Sequence, residues 1–219
     1  MEAEAAPVRK LLDLTGEGNL LAKGVPARLW SNESVHIVTN GSDSRFDVDA
    51  IGTLPASLTT FLAIQKTNPK IVISAGTCGG FIARDGFIGE IILAERCVFH
   101  DRRIPLEGFM KYGIGDFSVA NLHAIAERLG FRVGTVSTGD SLDSQPYDLD
   151  FMNSVNAVAK DMEAAAVAWA CALNEVPFTA LKVTTDLVDG EITTEEEFIT
   201  NLQYASNRLS EGILSLIHE

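Results

Sequence analysis

Two carboxylates stand out by their settings. Glu163 opens the stretch DMEAAAVAWACAL at residues 161–173, which reads as a helix that is apolar almost all round, with its acids confined to the first turn. Such a helix is normally buried in a core, and with fewer than ~18 apolar residues it is too short to span a membrane. A carboxylate there is a chemical candidate. The helix dipole favours its ionised form, and an ionised carboxylate is a two-oxygen acceptor suited to a pair of hydroxyls. Asp186 follows residues 178–184, a buried strand that starts after the turn at 174–177. A helix of ~12 residues advances ~18 Å and a strand of ~6 residues returns ~20 Å. Glu163 and Asp186 are therefore expected to be neighbours at the carboxyl edge of a sheet. Spacing alone leaves a structural alternative open, in which Glu163 caps its own helix and Asp186 merely ends a strand.

Other elements must bring further groups to that edge. Residues 70–75 form a strongly apolar strand of the kind found inside a parallel sheet, and it runs into Gly76-Thr77-Cys78-Gly79-Gly80. Glycines there allow close backbone approach to a ligand, although a tight turn alone would also account for them. The spacing is neither that of a dinucleotide fingerprint nor that of a P-loop. Residues 132–138 form a strand ending in TGDSLD. Three strands thus end in small-polar or acidic clusters, after Ala75, Thr138 and Thr184, and if parallel they meet along one edge, where open α/β folds bind ligands. Helices are expected at 1–14, 47–66, 117–129 (stopped by Gly130) and from 194, where TEEE is a capping box. Strands are expected at 27–30, 35–39 and 86–95. His100-Asp101 follows the last of these; with no serine or cysteine nucleophile beside it, the pair either lines a site or is structural.

The 219 residues, 46% of them apolar, suit one α/β domain with a sizeable core. A net charge of −13 opposes binding to nucleic acid or an anionic membrane surface. Cys78, Cys97 and Cys171 lie in apolar or glycine-rich surroundings without metal-ligand spacing, as expected of reduced thiols in a cytoplasmic protein.

Read together, the strand-end clusters resemble the nucleoside phosphorylase/nucleosidase superfamily, and in particular the plant-type 5′-methylthioadenosine/S-adenosylhomocysteine nucleosidases. The segments that carry the resemblance are MEAEA at 1–5, IGTLPASL at 51–58, SAGTCGGF at 74–81, VFHDRRIP at 98–105, STGDSLD at 137–143, KDMEAAAVA at 160–168 and TTDLVDG at 184–190. The resemblance implies a single α/β/α sandwich over residues 1–219, built around a mixed, mostly parallel twisted sheet. It implies hydrolysis of the N-glycosidic bond of 5′-methylthioadenosine, giving adenine and methylthioribose in methionine salvage, with no metal or organic cofactor.

Carried over residue by residue, Asp186 is the general acid that protonates purine N7, and Glu4 orients and deprotonates the attacking water. Glu163 and the backbone of Met162 grip the ribose hydroxyls. Thr77, Cys78 and Gly79 line ribose and base, Leu142 lies beside the adenine, Thr185 hydrogen-bonds Asp186, and Lys182 stands where bacterial relatives carry an arginine near the water. The resemblance further implies a homodimer in which Ile104, Pro105, Leu106 and Phe109 reach across to the 5′ end of the partner's substrate. Relatives carry a core strand before the segment matching MEAEA, and the sequence here starts at Met1; a version with such a strand is expected to be more stable and more active. The rival readings are a phosphorylase and a non-catalytic storage or binding homologue. The phosphorylase would need a cationic cradle, for which Arg45 is the candidate in the loop 40–46, amid Asp43, Asp47 and Asp49.

Overall fold

A computed structural model describes residues 1–219. The chain opens with α1 (Glu2–Leu11), a small antiparallel sheet of β1 (Asn19–Leu20), β2 (Arg28–Ser31) and β3 (His36–Thr39), and a ribbon of β4 (Ser42–Asp43) and β5 (Val48–Asp49). Then come α2 (Thr53–Thr67), β6 (Val72–Gly80), β7 (Ile91–Phe99), α3 (Phe109–Ile114), β8 (Phe117–Ser118), α4 (His123–Leu129) and β9 (Arg132–Thr138). The last part is α5 (Pro146–Ser154), β10 (Ala157–Asp161), α6 (Ala164–Leu173), β11 (Phe178–Leu187) and α7 (Thr194–Ile217).

The main sheet has the order β11-β6-β10-β9-β7-β8, and β11 also pairs with β7, so five strands close on themselves. It is mixed, as expected. β6 and β11 are parallel, as are β9 with β10 and β7 with β9. The two groups meet antiparallel, β10 against β6 through Lys160 opposite Gly79, and β7 against β11. The three strand ends therefore do not come from one parallel run. They converge because β10 meets β6 only near Gly79, which leaves the rest of that β6 edge facing a cavity.

Helices cover both faces. The small side chains of α6 let it lie close on the sheet, where Ala164, Ala165 and Ala168 pack with Cys97, Val136 and Ala180. On the other face α7 and α1 bring Leu209, Ile213 and Val8 against Leu93, Leu181 and Val183. Burial of such side chains contributes roughly 1.5–3 kcal/mol each before entropy is subtracted.

Several local expectations are corrected. The helix expected from Asp161 starts at Ala164, because Asp161 completes β10 beside Thr138. The glycine run is strand throughout: side chains of β11 cross over it, and a Cβ on Gly80 would lie 2.8 Å from Thr184 Cγ2. Residues 117–129 are not one helix. Phe117 pairs opposite Cys97 and stacks edge-to-face on Phe99 at 6.1 Å, so only His123–Leu129 is helical, with Gly130 left-handed at its end. The region 47–66 is helical only from Thr53, after Gly52 at φ +94°. The cap of α7 is Thr193, not Thr194, its Oγ1 accepting from Glu196 N at 3.4 Å.

Candidate active site

A cavity of about 900 Å³ lies at the joined strand ends. Glu4, Thr77, Cys78, Gly79, Leu142, Met162, Glu163, Lys182, Thr185 and Asp186 all line it, so the ten residues to which the resemblance gives a catalytic or substrate-binding part reach one space.

Asp186 is placed by an irregularity. The β6–β11 register runs Thr184 opposite Cys78 and then Asp186 opposite Gly79, which leaves Thr185 as the extra residue of a bulge. Its hydroxyl lies 2.7 Å from Asp186 Oδ1 and 3.1 Å from the Cys78 carbonyl. Its own carbonyl accepts from Asn201 Nδ2 of α7 at 2.9 Å. The carboxylate is buried and lies over Gly79, where a Cβ would come within 2.7 Å of Oδ2. Burial pushes its pKa above the usual carboxylate value, against the Thr185 hydrogen bond and the Lys160 charge; Glu197 adds to the rise.

Glu4 stands in the first turn of α1, which points its carboxylate at β6. Oε1 accepts from Thr77 N and from Thr77 Oγ1, both at 2.7 Å, and Oε2 accepts from the Met1 amino group. Burial would raise its pKa, but the ammonium and the Thr77 donors outweigh that, and the net direction is down. Gly76 leaves room for this: a Cβ there would lie 3.2 Å from Glu4 Oε1 and 3.4 Å from Lys182 Nζ.

Glu163 occupies the N-cap position of α6 without capping it through its side chain. Instead Oε1 accepts from Gly52 N, at the start of α2, at 2.9 Å. Burial raises its pKa, opposed first by Lys182. The capping falls to Asp161, whose Oδ2 accepts from Ala164 N at 2.8 Å and also meets Lys182 Nζ at 2.8 Å. Thr138 Oγ1 donates to Asp161 Oδ1 at 2.5 Å and accepts from Ala165 N at 2.9 Å. Asp161 therefore takes over the role of helix cap that spacing had left open for Glu163, and the Glu163 carboxylate faces the cavity.

His100 is buried and does not line the cavity. Its Nδ1 lies 3.0 Å from Ser137 Oγ, its other nitrogen abuts Gly139, and burial lowers its pKa. The His100 side chain is thus engaged with the β9 end rather than with the cavity. Cys78 is also inert: burial pushes its thiol up, well out of the thiolate range at neutral pH. Arg45 is tied to Asp43 in the exposed 40–46 loop and does not line the cavity either. No group of three or more His, Cys, Asp or Glu side chains is arranged to hold a metal ion.

One comparison decides the family: the description "Phosphorylase superfamily" matches residues 1–218. The chain belongs to the phosphorylase superfamily. Among its members the chain is similar to the 5′-methylthioadenosine nucleosidase of Arabidopsis thaliana, 42% identical over 210 residues, or 92% of this chain and 78% of that protein. It is 36% identical over 226 residues to the 5′-methylthioadenosine/S-adenosylhomocysteine nucleosidase of the same plant, covering 99% of this chain and 87% of that protein. The solved apo structure of Arabidopsis thaliana 5′-methylthioadenosine nucleosidase matches with a TM-score of 0.96 at 39% identity, over 100% of this chain and 91% of that one. The resemblance read from the seven segments is thus borne out, and the fold is that of the nucleoside phosphorylases.

Four groups that line or brace the site have no role in the sequence analysis: Asp161 and Lys160 line the cavity, Thr138 braces Asp161 and Gly52 braces Glu163. Asp161 and Lys160 precede Glu163 in one string, KDME, and a strand's period of two sends them to opposite sides. That signal was readable only if the string began as strand. Gly52 carries no signal, because its part is a backbone N–H.

Proposed function

We propose that the chain is an N-glycosidase that hydrolyses 5′-methylthioadenosine to adenine and methylthioribose, a step of methionine salvage. The observation that supports it most is one cavity that joins a carboxyl biased by burial towards its protonated form, Asp186, with a carboxylate held by two Thr77 donors at 2.7 Å, Glu4. Cleavage of an N-glycosidic bond leaves positive charge on the sugar and negative charge on the purine. Asp186, protonated, delivers its proton to N7 so that adenine departs neutral. Glu4 and Glu163 stabilise the oxocarbenium-like sugar, and Glu4 takes the proton of the attacking water. Glu163 accepts from the ribose hydroxyls with Met162 backbone beside it. Thr77, Cys78 and Gly79 floor the ribose and base, Leu142 flanks the adenine, and Lys182 stays close to the water-activating carboxylate.

Hydrolysis is favoured over phosphorolysis because the buried ammonium groups nearest these carboxylates are already committed. Lys182 pairs with Asp161, and Lys160 donates to the Ser141 and Leu142 carbonyls. The exposed apolar side chains of Leu54, Leu106, Phe109 and Met110 support a homodimer whose partner covers the 5′ end of the substrate. No helix is long and apolar enough to cross a membrane, and three unpaired, buried cysteines support a cytoplasmic setting.

The test is adenine release from 5′-methylthioadenosine with and without inorganic phosphate. Equal rates with free methylthioribose as product are expected. A requirement for phosphate, with a sugar 1-phosphate formed, would overturn the hydrolase reading.

A further inference from the structure

Lys160 is a buried cation that the proposed mechanism does not use. It is 5% exposed and sits in β10 with its Cα opposite Gly79. Its Nζ donates to two successive carbonyls, Ser141 O at 2.8 Å and Leu142 O at 2.6 Å. Those carbonyls belong to the irregular segment between β9 and α5, and Leu142 from that segment lines the cavity. Two adjacent carbonyls turned to one point need a donor there, and without Lys160 they lose two charge-assisted hydrogen bonds in a part-buried place. Gly79, the residue opposite Lys160, is also the one over which the Asp186 carboxylate lies. The Lys160 backbone thus faces the glycine under Asp186, and its ammonium holds the Ser141 and Leu142 carbonyls.

The geometry points to Lys160 as a positioning residue for the proposed cleavage, one that fixes the Ser141–Leu142 backbone against the substrate base and sets the charge beside Asp186. This rests on the nucleosidase reading above. The groups around each partner are consistent with it. Burial holds Lys160 below its ordinary pKa, and the carboxylates that oppose this are Asp186 first, then Asp143, Asp148 and Asp161. Around Asp186, burial and Glu197 of α7 raise its pKa, and Thr185 and Lys160 lower it. A lysine that only filled space would do neither job, and an apolar side chain of similar length would replace it without consequence.

The test uses Lys160→Met, Lys160→Gln and Lys160→Arg in the full chain. Two readouts separate the roles: kcat and KM against pH, and a ¹³C NMR titration of the Asp186 carboxyl in the ligand-free protein, which needs no turnover. Loss of the hydrogen bonds to the Ser141 and Leu142 carbonyls is expected to raise KM about tenfold or more in Lys160→Met, whereas Lys160→Gln, which keeps uncharged N–H donors, should lose less and Lys160→Arg, which keeps charged ones, least, since charge-assisted hydrogen bonds are strong and directional. Loss of the positive charge is expected to move the alkaline limb of kcat, and the Asp186 titration, to higher pH in Lys160→Met and Lys160→Gln but not in Lys160→Arg. If Lys160→Met fails to fold, the Gln and Arg pair carries the comparison. Unchanged KM together with an unchanged Asp186 titration overturns the inference. A parent protein that releases no adenine while its Asp186 titration still responds to Lys160 would sink the nucleosidase reading and leave the charge coupling standing.

Discussion

Lys182 and Asp161 form a fully enclosed ion pair, Nζ to Oδ2 at 2.8 Å, with side chains 2% and 0% exposed. The pair ties β11 to the end of β10, and Asp161 in turn holds the first turn of α6 through Ala164 N. Burial alone would lower the Lys182 pKa, but Asp161 and Glu163 outweigh it and raise the value above its ordinary 10.5. The sign follows: a raised folded-state value gives stability that is fully present below 10.5 and is lost only as pH climbs through the higher folded value. The pair is therefore intact throughout the neutral range.

Lys182→Met is expected to leave Asp161 as an uncompensated buried charge. Breaking one side of such a pair costs about 3–5 kcal/mol, a large part of the ~5–15 kcal/mol net stability of a domain. Urea denaturation at pH 7 measures it; a loss within experimental error would show that Asp161 finds another partner.

Turnover should follow a bell-shaped pH profile. Glu4 must be ionised, and its value is held below the usual one: burial is overcome by the Met1 ammonium and Thr77. Asp186 must be protonated, and burial holds its value above the usual one. The acid limb thus belongs to Glu4 and the alkaline limb to Asp186, with the working window between them. A kcat profile that rises steadily into the alkaline range would contradict this division.

Asp186→Asn should lower kcat by ~10²–10⁴-fold with a smaller change in KM, because the amide still hydrogen-bonds but donates no acid proton. It should also alter stability. The folded-state value of Asp186 is raised, so the parent loses stability as pH rises from its ordinary 3.8 through the folded value. The Asn variant lacks that loss, so it should melt higher than the parent at neutral pH and equally at pH 3. A lower Tm at neutral pH would mean that the ionised carboxylate is favourably held.

Gly79→Ala and Gly76→Ala differ in what the new methyl meets. At Gly79 it comes within 2.7 Å of both Asp186 Oδ2 and Val188 Cγ2, so the Asp186 carboxyl, the proposed proton donor, must move. At Gly76 the nearest atoms are Glu4 Oε1 at 3.2 Å and Lys182 Nζ at 3.4 Å, which a small shift relieves. A displacement of ~1 Å at a reacting group costs about 10²-fold, so the Gly79 variant should lose far more activity than the Gly76 variant. Equal losses would place the sensitivity elsewhere.

The exposed side chains Leu106 (61%), Phe109 (52%) and Met110 (60%) should be covered in solution by a second copy. Sedimentation at micromolar concentration is expected to give twice the chain mass, and Leu106→Glu with Phe109→Glu to give single chains with a raised KM. A parent that sediments as a single chain would remove the partner from the site.

Much of this was legible in the sequence. The run of small apolar residues in 164–171 specified a buried helix, because alternation of polar and apolar faces is absent there. The β-branched and apolar runs at 70–75 and 178–184 specified strands, and the helix-then-strand arithmetic put Glu163 and Asp186 at one cavity. Local chemistry suffices for such inferences, since burial preference and chain reach are properties of the segment itself. What the sequence left open needed contacts from afar. Whether Asp161 ended a strand or began a helix was decided by Thr138, 23 residues away, and by Lys182. Whether the glycines at 76–80 turned or stayed extended was decided by the β11 side chains that cross them. The opposed protonation tendencies of Glu4 and Asp186 were decided only by the tertiary structure. Both are carboxylates of nearly equal acidity in water, and burial raises both; the donors around Glu4 overcome it, whereas at the bulged strand end Thr185 and Lys160 do not overcome it for Asp186.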